Sequence, residues 1–483
     1  MEYPTLTPSL YLSTLINPHQ PSSTLSTPST LTINNSILKL DLTYRQIWNI
    51  SAPIMLGSAA QNVIALSDAV LLYHLGEVEF AAIGFVGVFY ITIAAIGYSF
   101  SRGGQIIIAR RMGEGRPGAV GHVFHTMLLF ELALAAMMWA FMRFGTGWFF
   151  SLFLDNSPDV YSKCLEYIHY RSYGIFFSYS GVALISLYTG IARPGIILLD
   201  TIVLAIVNLA LNYGLIFGKF GLPAMGIGGS GLASSIAEGV AFVVFVLFMA
   251  LDRKNRVLQI FSMPRPDWPL TRQQLNIALP VVAHAAVGQG SWIFFFGMVE
   301  NLGERALAIS NLARTVYLML SIPLWGFSSG VNTLVSNLIG QERHSDVLAA
   351  AWKTGKLCWV VTMLLAVPVL FFPGQVLYPL LGKSDMSLIG ETQPVFYLML
   401  GILSFATFGS VLVNSLAGTG ATWFGLRLQL ISLSVYLTYI FTAVNILHSG
   451  LFWVWVAEIV YWSVMILMVV YFLRSERWHG VEF

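Results

Sequence analysis

The sequence predicts an all-α integral membrane protein with twelve transmembrane helices, arranged as two six-helix lobes related by a pseudo-two-fold axis along the membrane normal. Three observations lead to this prediction. The chain is strongly apolar, its apolar runs are long enough to cross a bilayer, and its first half resembles its second half. Six spans in each repeat also indicate that both halves cross the membrane in the same direction.

The composition excludes a soluble domain. Hydrophobic residues make up 56% of the 483 residues and charged residues only 10%, and the mean hydropathy is +0.73. Soluble domains carry about 25% charged residues, so this chain lacks the polar groups to cover a water-facing surface. The formal net charge of +2 gives no indication of a nucleic-acid partner. The expected surroundings are a lipid bilayer.

Twelve apolar segments approach or exceed the length of about 20 residues that a transmembrane helix requires. In chain order they cover residues 47–72, 80–106, 121–146, 163–190, 195–218, 229–251, 275–300, 305–338, 350–374, 388–418, 424–447 and 451–473. A polar stretch separates the sixth segment from the seventh, so each half contributes six spans.

The internal repeat is visible without gaps when the chain is shifted by 227 residues, which places 43–116 over 270–343. Identical pairs include Pro53 with Pro280 and Gly113 with Gly340. Both copies keep the order Leu-Gly-Glu, Phe-Ser-x-Gly and Gly-x-x-Arg. Internal repeats of this kind are typical of secondary transporters, whose sites lie where two similar halves meet.

The basic residues predict the orientation. Short loops rich in Lys and Arg remain cytoplasmic. With both termini cytoplasmic, the inner side receives about three times as many basic residues as the outer side, as the rule expects. The outer side receives Arg143, Lys163, Arg171, Lys219, Arg305 and Lys383. We expect a multi-pass protein of the inner (plasma) membrane.

The remaining segments are polar. Residues 1–40 are rich in Ser, Thr and Pro, so we expect a disordered tail rather than a signal peptide. The N-terminal lobe covers 41–251, a cytoplasmic linker 252–272, the C-terminal lobe 273–475 and a cytoplasmic tail 476–483. The two cysteines, Cys164 and Cys358, lie in different lobes, so we expect neither a disulfide nor a cysteine metal site.

Signals for enzyme activity are weak. The G-x-G-x-x-G sequences at 113–118 and 226–231 do not follow a strand, as a dinucleotide site would require. The sequence Gly228-Gly-Ser-Gly231 has the form of an intramembrane serine-protease motif but lies in a glycine-rich stretch. No P-loop is present to use ATP. We therefore expect a transporter without a cofactor, driven by an ion gradient.

Four motifs of the sequence resemble those of one known family. They are the segment from Asn208 to Ala233, with Asn212 and Gly-Ile-Gly-Gly-Ser-Gly, the pattern Pro53…Gln61…Asp68…Leu75-Gly76, Tyr188-Thr-Gly-Ile-Ala-Arg-Pro194 and Leu416-Ala-Gly-Thr-Gly-Ala-Thr422. In that order they resemble the fifth-to-sixth-helix signature, the first helix, and the ends of the fourth and tenth helices of the multidrug and toxic compound extrusion (MATE) family. The resemblance covers about 43–475 and implies a two-lobe exporter of small organic compounds, driven by inward flow of Na⁺ or H⁺.

The candidate coupling site lies in the N-terminal lobe. Asp68 is an ionisable group inside a span, which is a functional hypothesis by default. Gln61 lies two helical turns before it, and Asn208 and Asn212 share one face of the fifth span. A carboxylate with amide oxygens suits Na⁺, and a buried carboxylate can also bind H⁺. Glu238 is a further candidate. The alternative is that these groups only form hydrogen bonds between helices.

The C-terminal lobe lacks a matching acid. Other members of the family carry an acid where Asn212 stands and another in the middle of the seventh helix. The matching stretch here, 285–292, has Gln289 as its only long polar side chain. The repeat partner of Asp68 is Phe295. Coupling is therefore predicted in the N-terminal lobe alone. Gln289, Trp292, Phe295 and Arg314 are the candidate substrate-cavity residues, although core packing is the commoner role for the aromatic ones.

Other intramembrane charges have two interpretations. Arg314 could bind an anionic substrate, but we favour its neutralisation by Glu300 or Glu458. Glu458 resembles Glu238 in its repeat position and is expected to brace its own bundle. Glu131 and Asp200 lie nearer the cytoplasmic side, and Asp200 is expected to pair with Arg193. His284 is expected to be a packing residue rather than a proton relay.

The sequence thus favours a monomeric antiporter that exports an organic, cationic compound in exchange for Na⁺ or H⁺. A lipid-linked oligosaccharide flippase of the same superfamily is the alternative, and it should show a strongly basic central cavity. An intramembrane enzyme would need a paired nucleophile and base. A passive channel is disfavoured because the duplicated lobes and a lone buried acid favour alternating access.

Overall fold

A computed structural model describes residues 39–262, 266–374, 386–475 and 478–479. Apart from Lys39 and Leu40, the tail predicted over 1–40 lies outside the described residues, as does Lys383. Of the predicted cytoplasmic tail over 476–483, only Trp478 and His479 are described. Over the described ranges the chain is almost entirely helical and contains no strand.

The N-terminal half forms six helical segments, named α1 to α6. The third contains a π-helical turn, and the fourth consists of two α-helical pieces, α4a and α4b, joined by a 3₁₀ turn at Ser172–Gly174. The bounds are α1 Tyr44–Tyr73, α2 Glu77–Gly113, α3 Gly118–Leu154, α4a Pro158–Arg171, α4b Ile175–Gly190, α5 Gly195–Phe217 and α6 Gly226–Leu251. A 3₁₀ helix, Arg253–Leu258, begins the linker.

The C-terminal half repeats this arrangement in α7 to α12. The bounds are α7 Trp268–Glu300, α8a Glu304–Leu320, α8b Ile322–Gly340, α9 Val347–Phe371, α10 Met386–Gly418, α11 Thr422–Phe441 and α12 Leu451–Arg474. The eighth span, expected to be continuous over 305–338, bends by 43° between α8a and α8b. Pro323 lies in the first turn of α8b and cannot donate the backbone hydrogen bond that would continue α8a.

Ten of these helices are long and apolar enough to cross a membrane, and the bent pair α8a–α8b makes eleven. The twelfth predicted span, 163–190, corresponds to α4, which is divided by its 3₁₀ turn. The described helical segments therefore match the twelve predicted spans in order. The protein is a multi-pass membrane protein of two six-helix lobes.

The helix contacts show the two-fold relationship between the lobes. In the N-terminal lobe α1 packs on α5, α2 on α4, α4 on α6, and α5 on α6. In the C-terminal lobe the equivalent pairs are α7 with α11, α8 with α10, α10 with α12, and α11 with α12. Between the lobes α1 contacts α8b and α7 contacts α2, which are equivalent pairs, and α2 contacts α8b.

The lobes meet closely at the ends of α2 and α8b. Ser336 donates a hydrogen bond to the Ile106 carbonyl (2.6 Å), and Asn337 donates one to the Ala109 carbonyl (3.1 Å). The repeat partners Gly113 and Gly340 lie at this crossing. A Cβ atom at Gly113 would lie 2.1 Å from the Asn337 carbonyl oxygen. The crossing requires glycine because the two backbones are in contact.

Helix α1 contacts the other lobe through its first half. A Cβ atom at Gly326 would meet Met55, and one at Gly330 would meet Ser51. Nearly all buried residues of α1 lie between Ile47 and Gly57, with Leu72 as the exception in its second half. The predicted cytoplasmic end is therefore closed between the lobes, and the second half of α1 is left largely exposed.

Candidate cation site in the N-terminal lobe

Helix α5 packs against α1 where α1 carries a small residue. A Cβ atom at Gly57 would lie 3.3 Å from Thr201 Oγ1 and 3.4 Å from Ile197 Cγ2. Small residues allow membrane helices to approach closely. This approach brings the second half of α1, with Asp68, next to the asparagines of α5.

A chain of hydrogen bonds connects α1, α5 and α6. Asn212 Nδ2 donates to Asp68 Oδ1 at 2.6 Å and to Asn208 Oδ1 at 3.0 Å. Asn208 Nδ2 donates in turn to Ser234 Oγ at 3.1 Å. Both asparagines are buried, whereas Asp68 is half-buried. The structure therefore brings together three of the predicted site residues, although their role in coupling stays a prediction.

The oxygen atoms of this cluster fit a small hard cation. Asn212 Oδ1 is buried and has no hydrogen-bond partner in the structure. It belongs to the residue that contacts the Asp68 carboxylate. Oxygen donors are the ligands that hard cations prefer. Within the described residues no group of three or more His, Cys, Asp or Glu side chains could hold a metal ion. A cation at Asp68 would therefore rely on one carboxylate and neutral oxygens.

A buried ion pair lies in the same lobe. Arg171, at the end of α4a, donates to both carboxylate oxygens of Glu238 on α6, at 2.5 and 2.8 Å. Its guanidinium also lies 3.8 Å from the ring centroid of Tyr90 on α2. Glu238 is thus bound to Arg171 instead of joining the Asp68 cluster directly. A buried charge is tolerated when it is paired and hydrogen-bonded.

The sequence counts Arg171 with the basic residues of the outer side, outside the spans, but the structure places it at the end of α4a. The residue is 6% exposed and lies inside the lobe. The sequence did contain a signal for this burial, because position 171 lies within the predicted fourth span, 163–190. Gly174 provides the space for the ion pair, because a Cβ atom there would lie 2.3 Å from Arg171 Nη1 and 2.8 Å from Glu238 Oε2.

With Glu238 paired to Arg171, Asp68 is the acid of this region that has no basic partner within 4.0 Å among the described residues. One monovalent cation, Na⁺ or H⁺, would neutralise it.

Gln61 is not connected to this cluster. Its side chain is exposed and forms no hydrogen bond within the described part of the chain. It lies seven residues, about 10 Å along the helix axis, before Asp68. A role in the cation site is therefore not supported by a contact in this conformation.

Two other acids of the lobe have different surroundings. Glu131 is fully buried and accepts a hydrogen bond from Ser101 at 2.6 Å, while its second oxygen has no partner in the structure. The expected pair between Asp200 and Arg193 does not form, because Arg193 binds Asp252 at the start of the linker. Helix α6 ends at Leu251, which places the Asp252 carboxylate within reach of the guanidinium.

The C-terminal lobe packs its aromatic residues into a core. Phe295 is fully buried, with its ring centroid 5.1 Å from that of Trp455 and 5.6 Å from that of Trp292. It therefore packs in the core in this structure, the role that the sequence analysis gives as the commoner one for the aromatic residues. Trp292 is partly buried within the same cluster, and Gln289 is exposed one helical turn earlier on α7.

The expected neutralisation of Arg314 by Glu300 or Glu458 is also wrong. Its guanidinium lies 5.5 Å from the ring centroid of Trp292 and 5.4 Å from that of Phe296, a cation–π arrangement. Glu458 instead accepts a hydrogen bond from the Tyr436 hydroxyl at 3.0 Å, which agrees with the expected bracing of its own bundle. Arg314 faces α7 because α8a and α7 pack together.

Comparison with known protein families and sequences finds matches in both lobes. The MatE family model matches residues 53–214 and 280–442, one stretch in each lobe and together more than half of the chain. A probable multidrug resistance protein NorM of Rhizobium meliloti is 28% identical over 49% of this chain and 51% of its own length. One of the same name from Thermotoga maritima is 22% identical over 90% of this chain and 93% of its own.

A solved structure is similar over nearly the whole fold. It is described as the outward-facing conformation of a multidrug resistance MATE family transporter of the MOP superfamily. The TM-score is 0.82 at 18% sequence identity, and the match covers 92% of this chain and 98% of that one. At this identity the similarity concerns the fold. The chain spans about half the length of the Rhizobium relative that it matches.

Proposed function

Because the chain belongs to the MatE family, we propose that it is a secondary active antiporter that exports small organic, cationic compounds in exchange for Na⁺ or H⁺. The observation that supports this most directly is the contact between Asp68 and Asn212 inside the N-terminal lobe. A carboxylate held there by an amide can bind a cation and release it again. The named relatives are multidrug resistance proteins, which favours transport over an enzyme activity.

Helix α1 joins the cation site to the boundary between the lobes. Its second half carries Asp68, and its first half contacts α8b through Ser51 and Met55. Pro53 lies inside the helix and removes a backbone hydrogen bond there, which allows the helix to bend. A cation that neutralises Asp68 would change the position of the second half of α1 and thereby alter the contact with α8b.

Alternating access would then require the lobes to separate at the closed end. The contacts that must break include the hydrogen bonds of Ser336 and Asn337 with the backbone of α2. Hydrogen bonds to water can replace these two when the lobes separate. In the opposite half, Gln61 and Gln289 are exposed on the equivalent helices α1 and α7, which supports an opening on that side.

The flippase alternative receives less support. It would favour several basic side chains that are free to face a central cavity. Three of the described arginines in the membrane helices are instead engaged: Arg102 donates to Asn414, Arg171 to Glu238, and Arg314 lies over aromatic rings. An acid in the N-terminal lobe favours a cationic substrate over the anionic substrate of a flippase.

The membrane, the oligomeric state, the orientation and the bound species are part of the same proposal. We place the protein in the inner (plasma) membrane as a monomer, with both termini in the cytoplasm. The coupling ion would be the only bound inorganic species, with no cofactor and no nucleic-acid partner. The excess of basic residues in the loops at the closed end supports this orientation.

The test is export of a cationic dye, measured as its accumulation inside everted vesicles, whose cytoplasmic face points outward, with the Na⁺ and H⁺ gradients imposed one at a time. Efflux should follow one of the two gradients in the wild type and disappear in Asp68→Asn. Asp159→Asn is the matched control, because it removes an exposed acid at the start of α4a. Efflux that follows neither gradient, or that needs ATP, would overturn the proposal.

A further inference from the structure

A cavity of about 970 Å³ lies where α2 ends and where α3 and α7 begin. We name it the basic cleft. Helices α2 and α3 belong to the N-terminal lobe and α7 to the C-terminal lobe, so the cleft spans the boundary between the lobes. None of its lining residues belongs to the candidate cation site.

Three arginines line the cleft: Arg111, Arg116 and Arg272. Glu114 holds Arg111 at 2.8 Å and lies 3.6 Å from Arg116, whose side chain is 70% exposed. Arg272 is exposed and has no acidic partner within 4.0 Å in the part of the chain that the structure describes. Arg116 and Arg272 therefore keep donors available for an anion.

The acid that lines the cleft is already engaged. Asp267 caps the start of α7 and accepts hydrogen bonds from the Leu270 backbone N–H (2.9 Å) and from His122 (2.7 Å). These hydrogen bonds lower the pKa of the Asp267 carboxyl below its ordinary range. The carboxylate serves as the helix cap of α7 and does not neutralise the arginines.

The rest of the cleft is apolar. Leu275 and Leu279 share one face of α7, and Ala119 and Val123 share one face of α3. Leu279 is 51% exposed. A free inorganic anion would leave this wall uncovered, whereas a molecule with a charged head and a hydrocarbon chain would cover it.

The cleft lies at the level expected for lipid headgroups. It is bordered by the ends of three membrane helices. Trp268, the first residue of α7, is 70% exposed, and Phe261 in the preceding linker is 59% exposed. Exposed aromatic residues at helix ends are typical of the membrane–water interface.

We propose that the basic cleft binds an anionic phospholipid, with Arg116 and Arg272 on its phosphate and an acyl chain along Leu275 and Leu279. Guanidinium groups bind phosphate through paired, charge-assisted hydrogen bonds. Basic pockets between membrane helices on the cytoplasmic side have the right chemistry for such headgroups. Because the cleft includes both lobes, the lipid would stabilise the conformation that is closed at this end.

The test measures lipid binding by thermal unfolding of the purified protein in detergent micelles. Phosphatidylglycerol and phosphatidylcholine with the same oleoyl chains are added separately, and inorganic phosphate is added in a third series. Phosphatidylglycerol should raise the unfolding midpoint more than phosphatidylcholine does. Arg116→Gln/Arg272→Gln should weaken phosphatidylglycerol binding by about tenfold or more, since two charged donors are lost.

The matched control is Arg253→Gln/Arg256→Gln, which removes the same charge from exposed linker residues outside the cleft. It should keep the preference for phosphatidylglycerol. An unchanged preference in Arg116→Gln/Arg272→Gln, or equal effects of the two lipids, would overturn the proposal. An equal effect of inorganic phosphate would assign the cleft to a free anion and overturn it too. If the double variant does not fold, both single variants should show a reduced preference, and a full preference in both would refute the lipid site.

Discussion

Asn212 on α5 donates a hydrogen bond to Asp68 on α1 across 2.6 Å, and the amide oxygen of the same asparagine has no hydrogen-bond partner among the described residues. The two residues are 144 positions apart in the chain. Their contact joins the one acid of α1 that lies inside a span to the two buried asparagines of α5. This arrangement allows the cation site to be tested as a unit.

Asp68→Asn and Asn208→Ala should have non-additive effects on ion-driven efflux. If both side chains bind the same ion, the loss of either one already removes that ion. The double variant should therefore be no worse than Asp68→Asn alone. The measurement is the initial efflux rate of the single and double variants in vesicles, with protein amounts matched. Because Asp68→Asn alone should remove the efflux, the deciding value is that of the single variant Asn208→Ala: efflux at the wild-type rate there would indicate that Asn208 is only a contact between helices.

Glu238→Gln should destabilise the protein strongly. It leaves the buried charge of Arg171 without its partner, which costs about 3–5 kcal/mol for buried ion pairs. The double variant Arg171→Leu/Glu238→Leu should recover most of the loss, because no unpaired charge remains. Unfolding in detergent with increasing denaturant measures the stability of Glu238→Gln and of the double variant. A Glu238→Gln protein as stable as the wild type would show that the pair is not buried as described.

Gly113→Ala should prevent the lobes from closing at the end of α2. The new Cβ atom would lie 2.1 Å from the Asn337 carbonyl oxygen, which is closer than atoms can approach. Gly84→Ala is the matched control on the same helix, because no atom lies within 4 Å of a Cβ there. The reporter is Ser336→Cys, since Ser336 is fully buried at this boundary and both native cysteines are buried.

Maleimide should label Cys at position 336 slowly in the Gly84→Ala background and faster in the Gly113→Ala background. Faster labelling follows from the separation of α2 and α8b. Equal rates in the two backgrounds would show that the crossing accommodates the extra methyl group by a local shift, without separation of the lobes.

Substitutions in the C-terminal lobe should leave ion dependence intact. Phe295→Leu should cost about 1–2 kcal/mol of stability, since it removes buried ring atoms from the aromatic cluster. Gln289→Leu changes an exposed side chain and should have little effect on stability. Efflux under separate Na⁺ and H⁺ gradients measures the ion dependence of both. Loss of coupling in Gln289→Leu, with dye binding retained, would place the ion site in the C-terminal lobe.

The sequence by itself determined the number and order of the helices, because apolar length and the 227-residue repeat are properties of the chain alone. It also identified Gly113 and Gly340 as equivalent, and the structure gives the reason: they face each other where α2 crosses α8b. The four-residue spacing of Asn208 and Asn212 fixed their common face, since helical periodicity is local.

Only the tertiary structure decided which charges meet. Arg171 pairs with Glu238, 67 positions further along the chain. Arg193 forms its ion pair with Asp252 and not with Asp200. Arg314 lies over aromatic rings rather than next to an acid. Local periodicity places a side chain on a face of its own helix but does not say which neighbouring helix that face meets. The packing of whole helices decides that choice, because every buried charge must find its partner among the helices that surround it.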